Sequence, residues 1–185
     1  MTGWERFTDS FFNARVMAQY LPKIIEGFGL TIVLALCIIA AGLLAGLSLA
    51  VLRSFALRTL NWLIIFVVDL FRALPPLVII VLLFFGLPSM GMELSGFASA
   101  WLALTLVLMA FSEEIFWAGI TSVPKGQWEA ARSTGLGFLQ ALGFVVLPQA
   151  LRRVVPPLMN DLVSLQKDVA LVSLIGPIEI LRQAG

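Results

Sequence analysis

The sequence predicts an all-α membrane protein, a bundle of helices that crosses the bilayer several times. Its mean hydropathy is +1.01, and 60% of its 185 residues are hydrophobic whereas only 12% are charged. A soluble domain of this length has too much surface for its volume to cover several apolar runs at once. The longest such run, residues 28–52, contains no charged residue.

Residues 28–52 form the first predicted span. At about 1.5 Å per residue, a helix of this length reaches roughly 37 Å, enough to cross an apolar layer of about 30 Å with some tilt. Gly42 and Gly46 lie four positions apart in this run, a spacing that lets a second helix approach closely. We therefore expect a helix–helix contact at these glycines.

A second apolar run, residues 60–87, is interrupted near its centre. Asp69 and Arg72 are followed there by the pair Pro75-Pro76. Each proline lacks an amide donor and clashes with the preceding turn, so the run is predicted to be kinked. Asp69 and Arg72 share one helix face, and they either pair with each other or line a pathway through the bundle.

Two further spans follow. The third starts near Phe97 and continues past Glu113 and Glu114, which lie close enough to the cytoplasmic end for one of them to reach the interface. The fourth is predicted to begin after Pro156-Pro157 and to end near Ile178. Because this span is too polar to face lipid, it lines a pathway, or its first turns lie in the headgroup region. Its polar residues are Asn160, Asp161, Gln166, Lys167 and Asp168.

The connecting segments predict the orientation of the chain. Arg53 and Arg58 join the first two spans, and four basic residues lie between the third and fourth spans, whereas residues 88–96 carry Glu93 and no basic residue. Basic residues favour the cytoplasmic side of a membrane. The N-terminus and the 88–96 loop are therefore expected outside the cytoplasm, and residues 121–155 within it.

Several other function classes have little support in the residues. The chain has no histidine, one cysteine and a net charge of +1, which argues against a metal site, a disulfide framework and a nucleic-acid interface. It contains no Gly-x-x-x-x-Gly-Lys-Ser/Thr phosphate loop, so we expect it neither to bind nor to hydrolyse ATP. We also expect no bound cofactor and no catalytic residue. At this point another polytopic transporter, a channel or a membrane-embedded carboxylate enzyme is still an alternative.

Residues 121–155 contain the signal of a short helix outside any span. Gly126 is a candidate N-cap, Glu129 lies near the positive end of the helix, and Gly135 suits a left-handed C-terminal residue. From these features alone, the helix is either a capped surface helix or a docking element. The small residues that would let a partner protein sit close are Ala130, Ala131 and Thr134.

The spacing of this segment resembles the EAA loop of ABC importer permeases. That loop has Glu-Ala-Ala, three residues, Gly, nine residues, Ile, one residue and Leu-Pro, and only Val145 departs from it here, in place of Ile. The resemblance implies that residues 121–155 form a cytoplasmic coupling loop that binds an ATPase. The coupling residues that it implies are Gly126, Gln127, Glu129, Ala130, Ala131, Gly135, Leu147 and Pro148.

More of the chain resembles the polar amino acid branch of these permeases, which is related to histidine and glutamine uptake systems. Residues 147–152 read Leu-Pro-Gln-Ala-Leu-Arg, and residues 71–77 resemble the branch's Phe-Arg-Gly-Thr-Pro-Leu-Leu segment. Residues 167–171 depart from its Lys-Asp-Thr-Ser-Leu element by losing two hydroxyl groups, and Trp117 stands where the branch often has arginine. These departures leave the identity of the solute open.

The resemblance implies the type I permease fold of ABC importers, with one transmembrane domain over residues 1–185 in the bacterial inner membrane. Because such permeases commonly have a fifth span, the chain is expected to be C-terminally incomplete. The implied partners are a cytoplasmic ABC ATPase dimer that binds ATP and Mg²⁺, a second permease copy or a homologous permease, an extracytoplasmic solute-binding protein and membrane lipid. The implied function is the import of amino acids by alternating access. The residues expected along the solute path are Asp69, Arg72, Glu114, Asn160, Asp161, Lys167 and Asp168.

Overall fold

The structure is a computed structural model that describes residues 3–4, 7, 14–169 and 171–172, without the side chains of residues 14–17, 23, 24 and 166. The described residues form helices and no strand. Contacts divide the chain into two compact units, Met1–Leu36 and Cys37–Gly185. The packing described below lies within the second unit.

Between residues 14 and 169, eight α-helices are connected by short turns and by two π-helical turns, Leu82–Gly86 and Leu142–Val146. The helices are α1 (Ala14–Arg53), α2 (Arg58–Ala73), α3 (Pro76–Val81), α4 (Leu87–Ser89), α5 (Gly96–Ser122), α6 (Lys125–Ser133), α7 (Phe138–Ala141) and α8 (Leu147–Val169). In the described part of the chain, three helical stretches are long and apolar enough to cross a membrane: Ala18–Arg53, Gly96–Ser122 and Phe138–Val169. The bent pair α2–α4 makes a fourth if it is counted as one span.

The contact expected at Gly42 and Gly46 is confirmed, and its partner is α5. A Cβ atom on Gly42 would lie 2.7 Å from Leu108 Cδ2. One on Gly46 would overlap the Ser112 hydroxyl and lie 3.0 Å from the backbone nitrogen of Glu113. Glycine at both positions therefore lets the two backbones approach closely.

The kink predicted at Pro75-Pro76 is also confirmed, and it is a sharp break. The ring of each proline disfavours helical geometry in the residue before it, and accordingly Leu74 and Pro75 are extended, with ψ of 133° and 137°. Pro76 then opens α3 at a position where no amide donor is needed. The helical segments on the two sides of the break are bent by 99°.

The third span matches its prediction, since α5 begins at Gly96 and ends at Ser122. Its N-cap is Ser95, whose Oγ accepts a hydrogen bond of 3.1 Å from the amide of Ala98. At the other end, Val123 is extended because Pro124 follows it. The chain thus leaves the bundle and starts the short helix α6.

The predicted start of the fourth span is wrong. The helical stretch begins at Phe138, and Pro156 and Pro157 lie inside α8. The two prolines remove two amide donors but do not end the helix, because Ala150 and Val154 just before them are buried in the core against α5. Burial of this apolar face outweighs the local preference of the prolines. Residues 170 and 173–178, the predicted end of this span, lie outside the described residues.

Candidate functional site

A buried ion-pair cluster joins the end of α1 to α5. The Nη1 atom of Arg53 donates to both carboxylate oxygens of Glu113, at 3.2 and 3.3 Å, and to Oε1 of Glu114 at 2.9 Å. The Arg53 guanidinium also lies over the Trp117 ring, 4.6 Å from its centroid. The Glu113 side chain is fully buried, whereas that of Glu114 is 37% exposed.

Glu114 extends this cluster to α2. Its Oε2 atom lies 3.7 Å from Nη1 of Arg72, and the same nitrogen lies 3.8 Å from Oδ1 of Asp69. Both distances exceed that of a hydrogen bond, so Arg72 is held more loosely than Arg53. The Asp69–Arg72 pair foreseen from the sequence is therefore present, but it does not use up the hydrogen-bonding capacity of Arg72.

Arg72 also lines a cavity of about 420 Å³. One wall is the break at residues 73–76, a second is α5, and a third is one face of α8. Asp161 and Asp168 are seven positions apart, two helical turns, and so both reach this wall. The Oδ2 atom of Asp161 is buried and has no hydrogen-bond partner among the described residues. The cavity thus combines one guanidinium with two carboxylates.

The structure separates the other residues expected along the solute path. Asn160 and Lys167 lie on α8 but do not line the cavity, and both are exposed. Asp69 and Glu114 lie beside the cavity as ion-pair partners of Arg72 and do not line it either. The side chain of Gln166 is not among those that the structure describes. Polar residues that recurred every three or four positions would have marked a single face of α8. The sequence instead places polar residues on more than one face of this helix.

Two residues at the site, Arg53 and Ser164, have no direct functional signal in the sequence pattern. Arg53 was interpreted only as a loop charge that fixes orientation, whereas it is the main partner of both glutamates. Ser164 lines the cavity between the two aspartates. The sequence offers one indirect signal for Arg53, a single basic residue at the end of an uncharged run, together with two adjacent glutamates in another span. That Arg53 contacts these glutamates can be seen only in the tertiary structure.

The short helix α6 lies where it was predicted, with one correction at its N-terminal end. Its N-cap is Pro124, not Gly126, because Pro124 supplies an extended start and its carbonyl accepts from the amide of Gln127 at 2.9 Å. Gly135 follows the C-cap Thr134 with φ of +89°, a left-handed conformation that favours glycine. The C-terminal prediction is therefore confirmed.

The two alanines of the motif face opposite ways. Ala131 is buried, 6% exposed, and so it cannot offer the partner surface expected of it. Ala130 is exposed, as are Gly126, Gln127 and Glu129. A partner that docks on α6 would meet this second set of residues.

Further contacts tie α6 to the start of the last helical stretch. Trp128 stacks on Phe138, with ring centroids 5.5 Å apart, and Phe138 also contacts Phe55 at 5.5 Å. Gln149 Nε2 donates to Gln127 Oε1 at 3.2 Å, which joins the two halves of the sequence motif. Of the two motif residues that precede Gln149, Leu147 is half-buried and Pro148 is exposed.

Comparison with known proteins identifies the family. Residues 38–183 match the family described as binding-protein-dependent transport system inner membrane component. The chain belongs to this family. A probable glutamine ABC transporter permease protein of Bacillus subtilis (strain 168), GlnM, is 35% identical over 172 residues, which cover 93% of this chain and 80% of that protein. Another from the same organism, GlnP, is 40% identical over 166 residues, or 90% and 76% of the two chains.

A solved structure agrees with this assignment. The crystal structure of an amino acid ABC transporter with histidines contains a chain that is 33% identical to this permease and superposes with a TM-score of 0.78. The match covers 91% of this chain and 79% of that chain. The all-α fold is therefore that of an ABC importer permease, and the match favours this function over a channel or a membrane-embedded enzyme.

Proposed function

We propose that this permease carries polar amino acids through the cavity between the α2–α3 break and α8. The observation that carries the proposal is that Arg72, Asp161 and Asp168 all line one cavity of about 420 Å³. A free amino acid is a zwitterion, so its carboxylate matches Arg72 and its ammonium group matches an aspartate. The volume lies within the usual range of small-molecule pockets, about 300–1,000 Å³.

The position of these charges within apolar segments supports the same proposal. A charged side chain at the centre of a bilayer costs about 2.5–3.5 kcal/mol on insertion scales and is normally directed into the bundle. Charges that only stabilised the fold would be expected to satisfy each other. The buried oxygen of Asp161 has no partner among the described residues, which leaves it available to a solute ammonium group.

The energy for transport comes from a partner. A cytoplasmic ABC ATPase dimer docks on the exposed face of α6, which carries Gly126, Gln127, Glu129 and Ala130. The dimer binds ATP and Mg²⁺, and its movements reach the permease through this face. A second permease, identical or homologous, completes the pathway, and an extracytoplasmic binding protein delivers the solute. The N-terminus then lies on the extracytoplasmic side, in keeping with the basic residues of the cytoplasmic connections.

Reconstitution tests the proposal. The permease is purified with its ATPase and partner permease, placed in liposomes with the binding protein, and given labelled L-glutamine, L-arginine, L-histidine or L-cystine. ATP-dependent uptake of at least one of the four is expected, and Arg72→Gln should reduce it. Absence of uptake of all four, in a complex that hydrolyses ATP, would contradict the proposal.

Two substitutions at Ala130 test the docking surface separately. Ala130→Asp places a carboxylate where a partner must approach, and burying it unpaired costs several kcal/mol. The variant permease should insert normally but lose its ATPase during purification, whereas Ala130→Ser should retain it. Equal recovery of the ATPase with Ala130→Asp and the wild type would show that α6 docks through another face.

A further inference from the structure

A series of contacts leads from the cavity to Trp117, which shares a groove and a core cluster with residues of α6. Arg72 lines the cavity and lies 3.7 Å from Glu114, and Glu114 accepts from Arg53 at 2.9 Å. The Arg53 guanidinium lies over Trp117, which lines a groove of about 490 Å³ together with Trp128 and Glu129 of α6. The two tryptophans also pack against the same buried core cluster. These contacts all lie within one compact unit of the chain.

The two arginines of this series are held differently. Arg53 makes three hydrogen bonds of 3.3 Å or less to two carboxylates and is only 13% exposed. Arg72 makes two longer ion pairs, at 3.7 and 3.8 Å, lies over the Phe111 ring at 5.6 Å from its centroid, and is 36% exposed. Arg72 can therefore change partner at lower cost than Arg53. If Arg53 left its carboxylate partners, a buried charge would lose its pairing.

We propose that Arg53 is a positioning residue that reports the state of the cavity to α6. When a solute carboxylate pairs with Arg72, it competes with Glu114, since the cluster already has three carboxyl groups, those of Asp69, Glu113 and Glu114, for two arginines. Glu114 then turns fully to Arg53, and the guanidinium shifts over Trp117. The groove between Trp117 and α6 changes with it. This inference rests on the proposed function of the cavity and of α6.

The chemistry of the position requires arginine. A planar guanidinium has several donors in fixed directions and can bond two carboxylates while its face lies over an aromatic ring. A lysine ammonium group keeps the charge but cannot keep both contacts in the same geometry. Arg53→Lys should therefore preserve the fold better than it preserves communication between the two sites.

The test measures ATP hydrolysis by the complete transporter with and without binding protein loaded with each of the four amino acids. The ratio of the two rates, the stimulation, reports communication between cavity and ATPase. Arg53→Gln alone leaves Glu113 buried without a partner and is prone to misfolding. The main variants are therefore Arg53→Gln with Glu113→Gln, which removes both charges, and Trp117→Leu, which removes none. Arg58→Gln is the matched control, since Arg58 is an exposed arginine five residues away.

The stimulation should fall by roughly fivefold or more in both main variants, a typical size for coupling between sites. Arg53→Lys should give an intermediate value, and Arg58→Gln that of the wild type. Unchanged stimulation in the main variants would overturn the inference, and so would a fall that only follows a proportional loss of thermal stability. A wild type that none of the four amino acids stimulates would contradict the proposed function and, with it, this inference.

Discussion

The α1–α5 contact and the cavity both contain polar groups from apolar helices, but the two regions differ in how far those groups are hydrogen-bonded. In the contact, Ser112 Oγ lies 2.6 Å from the carbonyl oxygen of Leu108 and 3.3 Å from that of Gly42, and Glu113 is bonded to Arg53. In the cavity, Arg72 makes long ion pairs and lies over the Phe111 ring at 5.6 Å, and a buried oxygen of Asp161 has no hydrogen-bond partner among the described residues. In the α1–α5 contact the polar groups bond to one another, whereas in the cavity some polar groups can still bind a ligand.

The difference separates polar groups that bond within the fold from polar groups that would be free to bind a ligand. An unpaired polar group in an apolar environment is costly, so it persists only where something else meets the cost. Substitutions in the contact should therefore change stability, and those in the cavity should change transport. Each prediction below tests one side of this division.

The largest effect is expected for Gly46→Val. Its side chain would overlap Ser112 and press on backbone atoms of α5, which cannot move aside as a flexible side chain can. Overpacking of this kind costs about 1–3 kcal/mol even where side chains yield. We expect little folded permease by gel filtration in detergent. Gly29→Val, on the same helix with no atom of the described residues within 4 Å of the new Cβ, is the control; equal yields of the two variants would argue against a closed contact.

A smaller and different effect is expected for Asp161→Asn. The amide keeps the shape of the carboxylate but loses its charge, so the concentration of solute for half-maximal uptake should rise about tenfold, the equivalent of ~1.4 kcal/mol. The thermal unfolding temperature should stay near that of the wild type. Asp69→Asn removes an equal charge outside the cavity wall, from a side chain that is 64% exposed, and should raise that concentration less. The reverse order would place the solute on the α2 side.

The smallest effect is expected for Ser112→Ala. It removes the hydroxyl that bridges α5 and α1, and such hydrogen bonds in membrane bundles contribute about 0.6 kcal/mol on average. Ser48→Ala removes a hydroxyl that bonds only within α1, to Leu44 O at 2.7 Å, and is the matched control. Thermal unfolding in detergent should rank wild type and Ser48→Ala together above Ser112→Ala. Identical curves for all three would mean that close packing alone holds the contact.

Local signals in the sequence predicted local structure well. The double proline predicted the break after α2, the glycine pair predicted a close helix contact, and Gly135 predicted the end of α6, because each depends on the geometry of its own residue and its neighbours. Pro156-Pro157 misled for the same reason, since the burial of Val154 against α5 is a tertiary effect.

The candidate site was harder to foresee. The sequence indicated that Arg72, Asp161 and Asp168 serve a path, but it gave Asn160 and Lys167 equal weight, because α8 is polar on more than one face. Which arginine meets which glutamate depends on how α1, α2 and α5 pack. That arrangement has no signature at the level of spacing.

The continuity of the helical stretch from Phe138 to Val169 has a mechanical consequence. Pro148 of the coupling motif and Asp161 of the cavity are on this one element, about 20 Å apart along its axis. Between them, Pro156 and Pro157 leave the carbonyls of Arg152 and Arg153 without their usual amide donors, which lowers the stiffness of the rod at that level. If one end of this helix were displaced, part of the displacement would tilt the whole helix and the rest would bend it at Pro156-Pro157. The position of the prolines thus determines how far the cavity wall would move when the end of the helix near Pro148 is displaced.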